Sequence, residues 1–462
     1  MSAKQVRGGK WAGRRVLVVG LGTSGLAAAR VLASLEAKVR VTESATSAAI
    51  EERAQRLRIE GIEVETSGHD YEALDADVAV VSPGIAPHTR VMEVLERNGV
   101  EVIGEVELAY RLAECDFLAI TGTNGKTTTT SLLASMLAES GLESIAAGNI
   151  GLPLIDAVFK VPAGGAIAVE VSSFQLATIH EFRPRVAVLL NVAEDHTDWH
   201  GDFDHYVAAK ARIAMNQAAD DVFMPNREDA ATMSVGAVTS ARVVPFSGLS
   251  VPEGGIGWDD DRLLWRYREV VDARDVTLAG AAGREDVAAA AGAALEYGID
   301  IDAVQRAIKS FKPLAHRLEI VATAAGITYI DDSKATNPHA TLAAVKGLND
   351  VVLIAGGRAK GIDLSVLKGT VPPVVAVVAL GEAAGEVERA FAGVVPVETV
   401  ASMHDAVAAA HGKAIHGGSV LLSPGCASLD MYESYAQRGE AFAASIKELL
   451  TETSRSSADG DE

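Results

Sequence analysis

From Arg15 onward, short β-branched runs alternate with longer alanine-rich stretches of helical spacing. This alternation constrains the fold more than any other feature of the chain. Parallel neighbouring strands need a crossover of about a dozen residues, and a helix supplies it while covering one face of the sheet. The expected class is therefore α/β, and three series separate along the 462 residues, in keeping with the size of ordinary domains. The first has strands at Arg15 to Val19, Val39 to Thr42 and Val78 to Val81 with a helix at Gly25 to Leu35, and closes near Gly104. The second opens with a strand at Phe117 to Ile120 and a helix from Lys126 to Ser140. Strands at Ala166 to Glu170 and Val186 to Asn191, a hairpin-like patch near Gly254 to Arg268 and a helix near Glu285 to Tyr297 complete it. Ser310-Phe-Lys-Pro313 breaks the helical pattern and predicts a hinge. Beyond it, Ile327 to Ile330, Val351 to Ala355, Val374 to Leu380 and Val420 to Ser423 read as a third sheet, and residues 451–462 read as a disordered tail.

Charge narrows the function. The chain carries 41 Lys plus Arg against 62 Asp plus Glu, a net charge of −21. A surface held to nucleic acid by phosphate neutralisation needs the opposite balance, so no nucleic-acid partner is expected. Small anionic substrates need only local positive charge. Cys115 and Cys426 have no CxxC or His-rich neighbours and read as reduced thiols. The basic N-terminus (Lys4, Arg7, Lys10, Arg14, Arg15) is followed by an apolar run too short for a signal segment, and no stretch reaches the ~18 apolar residues of a membrane span. A cytoplasmic protein without membrane insertion is expected.

Gly20-Leu-Gly22-Thr23-Ser24-Gly25 follows a strand and opens a helix, and Glu43 ends the next strand. Glycines here let amides approach a phosphate, and the acid can accept from a ribose hydroxyl, so the loop predicts a nucleotide site without choosing the nucleotide. Thr121-Gly122-Thr123-Asn124-Gly125-Lys126-Thr127-Thr128 lies between a strand and a helix and ends in the Gly-Lys-Thr of a phosphate-binding loop. Its amides can cradle oxyanions, Lys126 can reach the β and γ phosphates, and Thr127 can coordinate magnesium. Glu170 ends an apolar strand and opens Glu170-Val-Ser172-Ser-Phe-Gln175, and Asn191 to Asp198, with His196, follows another. Carboxylates at strand ends beside a phosphate loop point to a metal suited to oxygen donors. By composition alone, Lys210 reads as an exposed helical lysine. In the third series, loops with Arg317, Asp332, Lys334, Thr336, Lys360 and Ser428 gather cations and hydroxyls suited to carboxylates.

These blocks, in this order, resemble the Mur ligase family of peptidoglycan synthesis over about Val16 to Phe442. The resemblance rests on the phosphate loop, Ser82-Pro-Gly-Ile85, Gly148-Asn149-Ile-Gly-Leu-Pro153, Glu170 to Leu176, Asp332 to Asn337, Leu422 to Asp430 and Gln437-Arg438-Gly439. It implies three domains: a Rossmann-like N-terminal domain over 1–104 for the UDP substrate, a central P-loop ATPase domain with a mostly parallel sheet over 105–312, and a Rossmann-like C-terminal domain over 313–450 for the amino acid. It further implies that ATP phosphorylates the carboxylate of UDP-N-acetylmuramoyl-L-alanine and that the amine of D-glutamate attacks the acyl phosphate. Closure of the third domain over the other two is expected, and a monomer.

Residue by residue, the resemblance gives ATP to Gly122, Thr123, Asn124, Gly125, Lys126, Thr127, Thr128, Arg317 and Asp332. Magnesium goes to Thr127 and Glu170, and a second magnesium to His196 and to Lys210 as a carbamate. Gly22, Thr23, Ser24, Glu43, Ser44, Ser82, Asn149, Ser172 and Gln175 match the UDP-substrate region. Thr336, Lys360, Ser428 and Leu429 match D-glutamate contacts, and Lys334 the reacting phosphate. The departure is at Gly280-Ala-Ala-Gly-Arg284-Glu285-Asp286, where relatives carry a His-Asn pair and a further Asn. No residue is therefore assigned to adenine. Rival expectations are another Mur or folate-polyglutamate-like ligase, a nicotinamide oxidoreductase using the first glycine loop, and a mechanical P-loop NTPase.

Overall fold

The computed structural model describes residues 10–71, 74–278, 280–312, 314–346 and 348–458, with the side chains of 198 and 452–458 left aside. The expected break at Pro313 itself, and Lys4 and Arg7 of the basic N-terminus, lie outside the described residues. Two compact units are present. One comprises Met1–Val192, Asp204–Val276 and Glu285–Phe311, and the other Ala193–Phe203, Thr277–Arg284 and Lys312–Glu462.

Among the described residues, the first unit holds three sheets. Strands β1 (Arg15–Val19), β2 (Lys38–Thr42), β3 (Glu63–Glu65), β4 (Val78–Val81) and β5 (Glu101–Gly104) form a parallel sheet in the order β3-β2-β1-β4-β5. Strands β6 (Asp116–Thr121), β7 (Ser144–Gly148), β8 (Ala166–Glu170), β9 (Val186–Leu189), β10 (Val222–Pro225) and β11 (Arg242–Val243) form a second parallel sheet in the order β11-β10-β9-β6-β8-β7. One hydrophobic core runs through both, from Val16 and Val18 to Ile167, Phe182 and Phe223. Residues Val78–Val81 are buried throughout, as are Ala166–Glu170, which is why Val78–Val81 and Ala166–Val169 read as unbroken apolar runs. Around the expected hairpin patch, β12 (Phe246–Ser247), β13 (Ile256–Asp259), β14 (Arg262–Trp265) and β15 (Arg268–Asp272) form a small sheet. Its β13-β14 and β14-β15 pairs are antiparallel.

The second unit is built on β16 (Glu319–Ala324), β17 (Ile327–Asp331), β18 (Val351–Gly356), β19 (Val374–Leu380), β20 (Val397–Thr399) and β21 (Ser419–Leu422), ordered β16-β17-β21-β18-β19-β20. Only the edge pair β16-β17 is antiparallel among these. The last helix spans Tyr435–Ala458, so residues 451–458, expected in a disordered tail, continue a helix whose inner turns are docked by the buried Phe442 and Ile446. Residues 459–462 lie outside the described ones.

In each parallel sheet the chain leaves one central strand towards both sides. Loops at that strand's carboxyl end then splay apart and leave a crevice, the usual ligand position in open α/β sheets. In the first sheet the crevice lies between β1 and β4, and in the second it lies at β6, flanked by β8 and β9.

Candidate active site

The crevice of the first sheet is a cleft of about 460 Å³ lined by Gly20, Gly22, Glu43, Ser44, Ser82 and Ile85, among others. Thr23 and Ser24 follow Gly22 in the chain and begin the helix Thr23–Ser34. Glu43 bridges the loops here: its carboxylate accepts from Leu21 N at 2.7 Å and from Ala45 N at 2.8 Å. The hydroxyl of Ser82 is buried without a hydrogen-bond partner among the described residues. Gly25 has no room for a side chain, because a Cβ would collide with the Gly20 carbonyl.

At β6 the phosphate loop leads into the helix Lys126–Glu139. Gly125 takes the left-handed conformation, φ 83°, that the turn needs. Asn191, at the end of β9, brackets the loop by accepting from Asn124 N at 2.9 Å through its side chain and from Thr123 N at 2.9 Å through its carbonyl. Thr123 Oγ1 lies 3.1 Å from the Tyr206 hydroxyl. Lys126 Nζ donates to the carbonyls of Gly122, at 2.9 Å, and Thr123, at 2.8 Å. Thr127 and Thr128 stand in the first helical turn, where unpaired amides and the helix dipole favour an anion.

Lys210 is 1% exposed, which replaces the exposed reading that composition alone supports. It ends the helix Phe203–Ala211, donates to Gly122 O at 2.6 Å, and lies 4.6 Å from the centre of the Tyr206 ring. The same carbonyl oxygen therefore receives both lysines. Beside them, at the end of β8, Glu170 is 1% exposed. One of its oxygens accepts from Asn149 Nδ2 at 2.7 Å, while the other, Oε2, has no hydrogen-bond partner among the described residues. An orphaned buried carboxylate oxygen is costly unless a cation meets it, so Glu170 fits an oxygen-loving metal. Ser172 and Gln175 cap the short helix that follows, Gln175 Oε1 accepting from Ser172 N at 2.9 Å.

Sequence reasoning missed Asp286. It is 9% exposed, accepts from Thr129 Oγ1 at 3.0 Å, and lies against Gly125 closely enough to forbid a Cβ there. It stands in the segment where the resemblance breaks down, so motif reading had nothing to align it to.

In the second unit, loops after β17, β18 and β21 meet at adjacent strand ends. Asp332 accepts from Ser423 Oγ at 2.8 Å, and burial pushes its carboxyl up to about 7 against the opposing pull of Ser423 and Arg317. Lys334 lies with its Nζ 3.8 Å from the centre of the Tyr435 ring. Lys360 Nζ pairs with Asp195 Oδ1 at 3.3 Å, and Asn337 Nδ2 approaches the other oxygen at 3.5 Å. His196 follows in the left-handed region, φ 54°, its backbone amide donating to Asp195 at 3.0 Å. Thr336 is half-buried, Ser428 is 4% exposed and Leu429 is 59% exposed.

A phosphate loop at the switch point of a parallel sheet, with a buried carboxylate on the next strand, defines a nucleotide-dependent phosphoryl-transfer enzyme. Family models refine the class. The Mur ligase MurD-like N-terminal domain matches residues 14–104, the Mur ligase middle domain 120–251, and the Mur ligase glutamate ligase domain 316–426. A UDP-N-acetylmuramoylalanine–D-glutamate ligase of Caldanaerobacter subterraneus is 38% identical over 94% of this chain and 98% of its own. One from Frankia casuarinae is 41% identical over 95% and 94%. The fold is similar to a solved UDP-N-acetylmuramate–alanine ligase of Thermotoga maritima, with a TM-score of 0.59 at 18% identity, covering 94% of this chain and 99% of that one. The chain belongs to the Mur ligase family.

Proposed function

We propose that the chain is an ATP-dependent ligase that joins D-glutamate to UDP-N-acetylmuramoyl-L-alanine, at a cytoplasmic step of peptidoglycan precursor synthesis, and that it acts as a monomer. The observation that carries this reading is 38% and 41% identity, over nearly the full chain, to ligases named for that substrate pair. No described helix is long and apolar enough to cross a membrane, which accords with soluble substrates.

The chemistry follows from the weakness of a carboxylate as an electrophile. Transfer of the γ-phosphoryl group of ATP to the substrate carboxylate gives an acyl phosphate and ADP. The amine of D-glutamate then adds to that carbonyl, the tetrahedral intermediate collapses, and phosphate leaves with the bonding pair as the amine gives up its proton. Lys126 and the amides of Lys126 to Thr128 at the start of the helix hold the phosphates and offset the charge that develops in transfer. Thr127 and Glu170 are the proposed ligands of one magnesium, and His196 and a carbamate on Lys210 of a second. Magnesium, when bound, adds positive charge at the phosphate oxygens. Arg317 and Asp332 are assigned to ATP and Lys334 to the reacting phosphate. Thr336, Lys360, Ser428 and Leu429 are assigned to D-glutamate. Gly22 to Ser24, Glu43, Ser44 and Ser82 take the uridine and pyrophosphate, with Asn149, Ser172 and Gln175 nearer the reacting end.

Phosphate release with UDP-N-acetylmuramoyl-L-alanine, ATP and magnesium tests the reading. Release should require D-glutamate and fail with L-glutamate. Equal turnover with another amino acid would reassign the substrate, and hydrolysis independent of the sugar nucleotide would favour a mechanical NTPase.

A further inference from the structure

The helix Tyr435–Ala458 begins beside the strand-end loops of the second unit, and its first turns carry a cation that the proposed chemistry does not use. Arg438 is 2% exposed. Its fork is spent on two loops: Nε donates to Ser333 Oγ at 3.0 Å, Nη2 to Ser333 O at 2.7 Å, and Nη1 to Cys426 O at 3.0 Å. Ser333 stands between Asp332 and Lys334 after β17, and Cys426 stands two residues before Ser428 after β21. A third loop comes within reach, since a Cβ on Gly357, just after β18, would lie 3.2 Å from Nη1.

Neighbouring residues extend the contact. Tyr435 O accepts from Ser333 Oγ at 2.7 Å, and its ring faces the Lys334 ammonium. Gly439 packs so closely on the His316–Asp331 pair, 2.7 Å apart, that a side chain there would overlap both. The acceptors of Arg438 are two carbonyls and a hydroxyl, with no carboxylate among them. A helix that only needed to be anchored would be served as well by an apolar residue, without desolvating a guanidinium. What a rigid planar fork adds is a fixed distance and angle between the groups it joins.

We propose that Arg438 is a positioning residue that sets the spacing between the loops at Asp332–Asn337 and Ser423–Asp430, and thereby shapes the amino-acid pocket without touching its ligand. This rests on the reading that Thr336, Lys360, Ser428 and Leu429 hold D-glutamate. Arg438 selects the geometry of the pocket, and Lys360 supplies its charge.

Steady-state kinetics of Arg438→Lys, Ser333→Ala and Lys360→Ala, each with a thermal midpoint, test it. Lysine keeps the charge and loses the fork, so KM for D-glutamate should rise by about tenfold or more, the scale of a sub-ångström misplacement, while KM for the sugar nucleotide stays within about twofold. Ser333→Ala removes one acceptor and should move the same constant in the same direction by less. If Arg438→Lys does not fold, Ser333→Ala decides. A normal KM for D-glutamate in these two variants, with Lys360→Ala raised, overturns the inference and leaves the pocket reading standing. A normal value in all three overturns the pocket reading and the inference with it.

Discussion

Two ammonium groups converge on the carbonyl oxygen of Gly122, Lys126 at 2.9 Å and Lys210 at 2.6 Å. Like charges so close repel, and the local field is useful only if it is spent on something negative. Lys126, on the phosphate loop, suits a transferring phosphoryl group. Lys126→Ala should therefore lose at least about 100-fold in turnover, the scale of removing one electrostatic donor, in a single-turnover phosphate assay. The carbamate proposed on Lys210 would exchange the second cation at this carbonyl for an oxygen donor. Lys210→Ala should be inactive and regain part of its rate with a short-chain carboxylic acid. A fully active variant contradicts the assignment.

Between elements, the junction of β5 with the helix Glu105–Leu112 contains a carboxyl that the chemistry does not use. Glu105 is 2% exposed, accepts from Ile155 N at 2.6 Å, and leaves Oε2 without a partner among the described residues. Burial pushes it from the ordinary 4.5 up to about 7. Between these values the folded chain keeps a proton that the unfolded chain has lost, so stability falls as pH rises through the window and levels above it. The loss is on the order of 3 kcal/mol at most. Glu105→Gln keeps an acceptor for Ile155 and cannot ionise, so urea midpoints of variant and parent should move apart in the variant's favour from pH 5 to pH 8. A constant difference contradicts the buried acid. Gly125→Ala tests the next junction: φ 83° and the press of Asp286 should cost about 1 to 3 kcal/mol and raise KM for ATP. Unchanged KM would mean that the loop tolerates the shift.

The same junctions show which parts of the structure the sequence discloses. Val78–Val81 and Val351–Gly356 are buried along their whole length, so their pattern is local and legible. Edge strands such as Glu319–Ala324 and Val397–Thr399 are partly exposed, bury no continuous run, and leave no comparable signal. The phosphate loop is legible for a related reason, since its glycines and lysine work within eight residues of chain. Asn191, Tyr206, Asp286 and Arg438 reach their loops only through tertiary packing, from 67, 83, 157 and 105 residues away. No local pattern encodes those meetings.

At the scale of the molecule, a net charge of −21 coexists with sites proposed for a nucleotide, a sugar diphosphate and a dicarboxylic amino acid. Mean charge does not decide binding here, because potential falls off over about 10 Å at 0.1 M salt. Lys126 stands within the glycine loop, and Glu43 and one oxygen of Asp286 accept from backbone or hydroxyl donors around the two glycine loops. The distant acidic surface is therefore screened while the local cations act at contact distance. A protein that gripped a polyanion would lose on the order of 10³ to 10⁵ in affinity between 50 and 200 mM salt. Here KM for ATP should change by less than about tenfold across that range, measured by phosphate release at fixed magnesium, because only a few fixed cations meet one nucleotide. A polyanion-like slope would show that a wider basic surface takes part, in conflict with the charge balance of the chain.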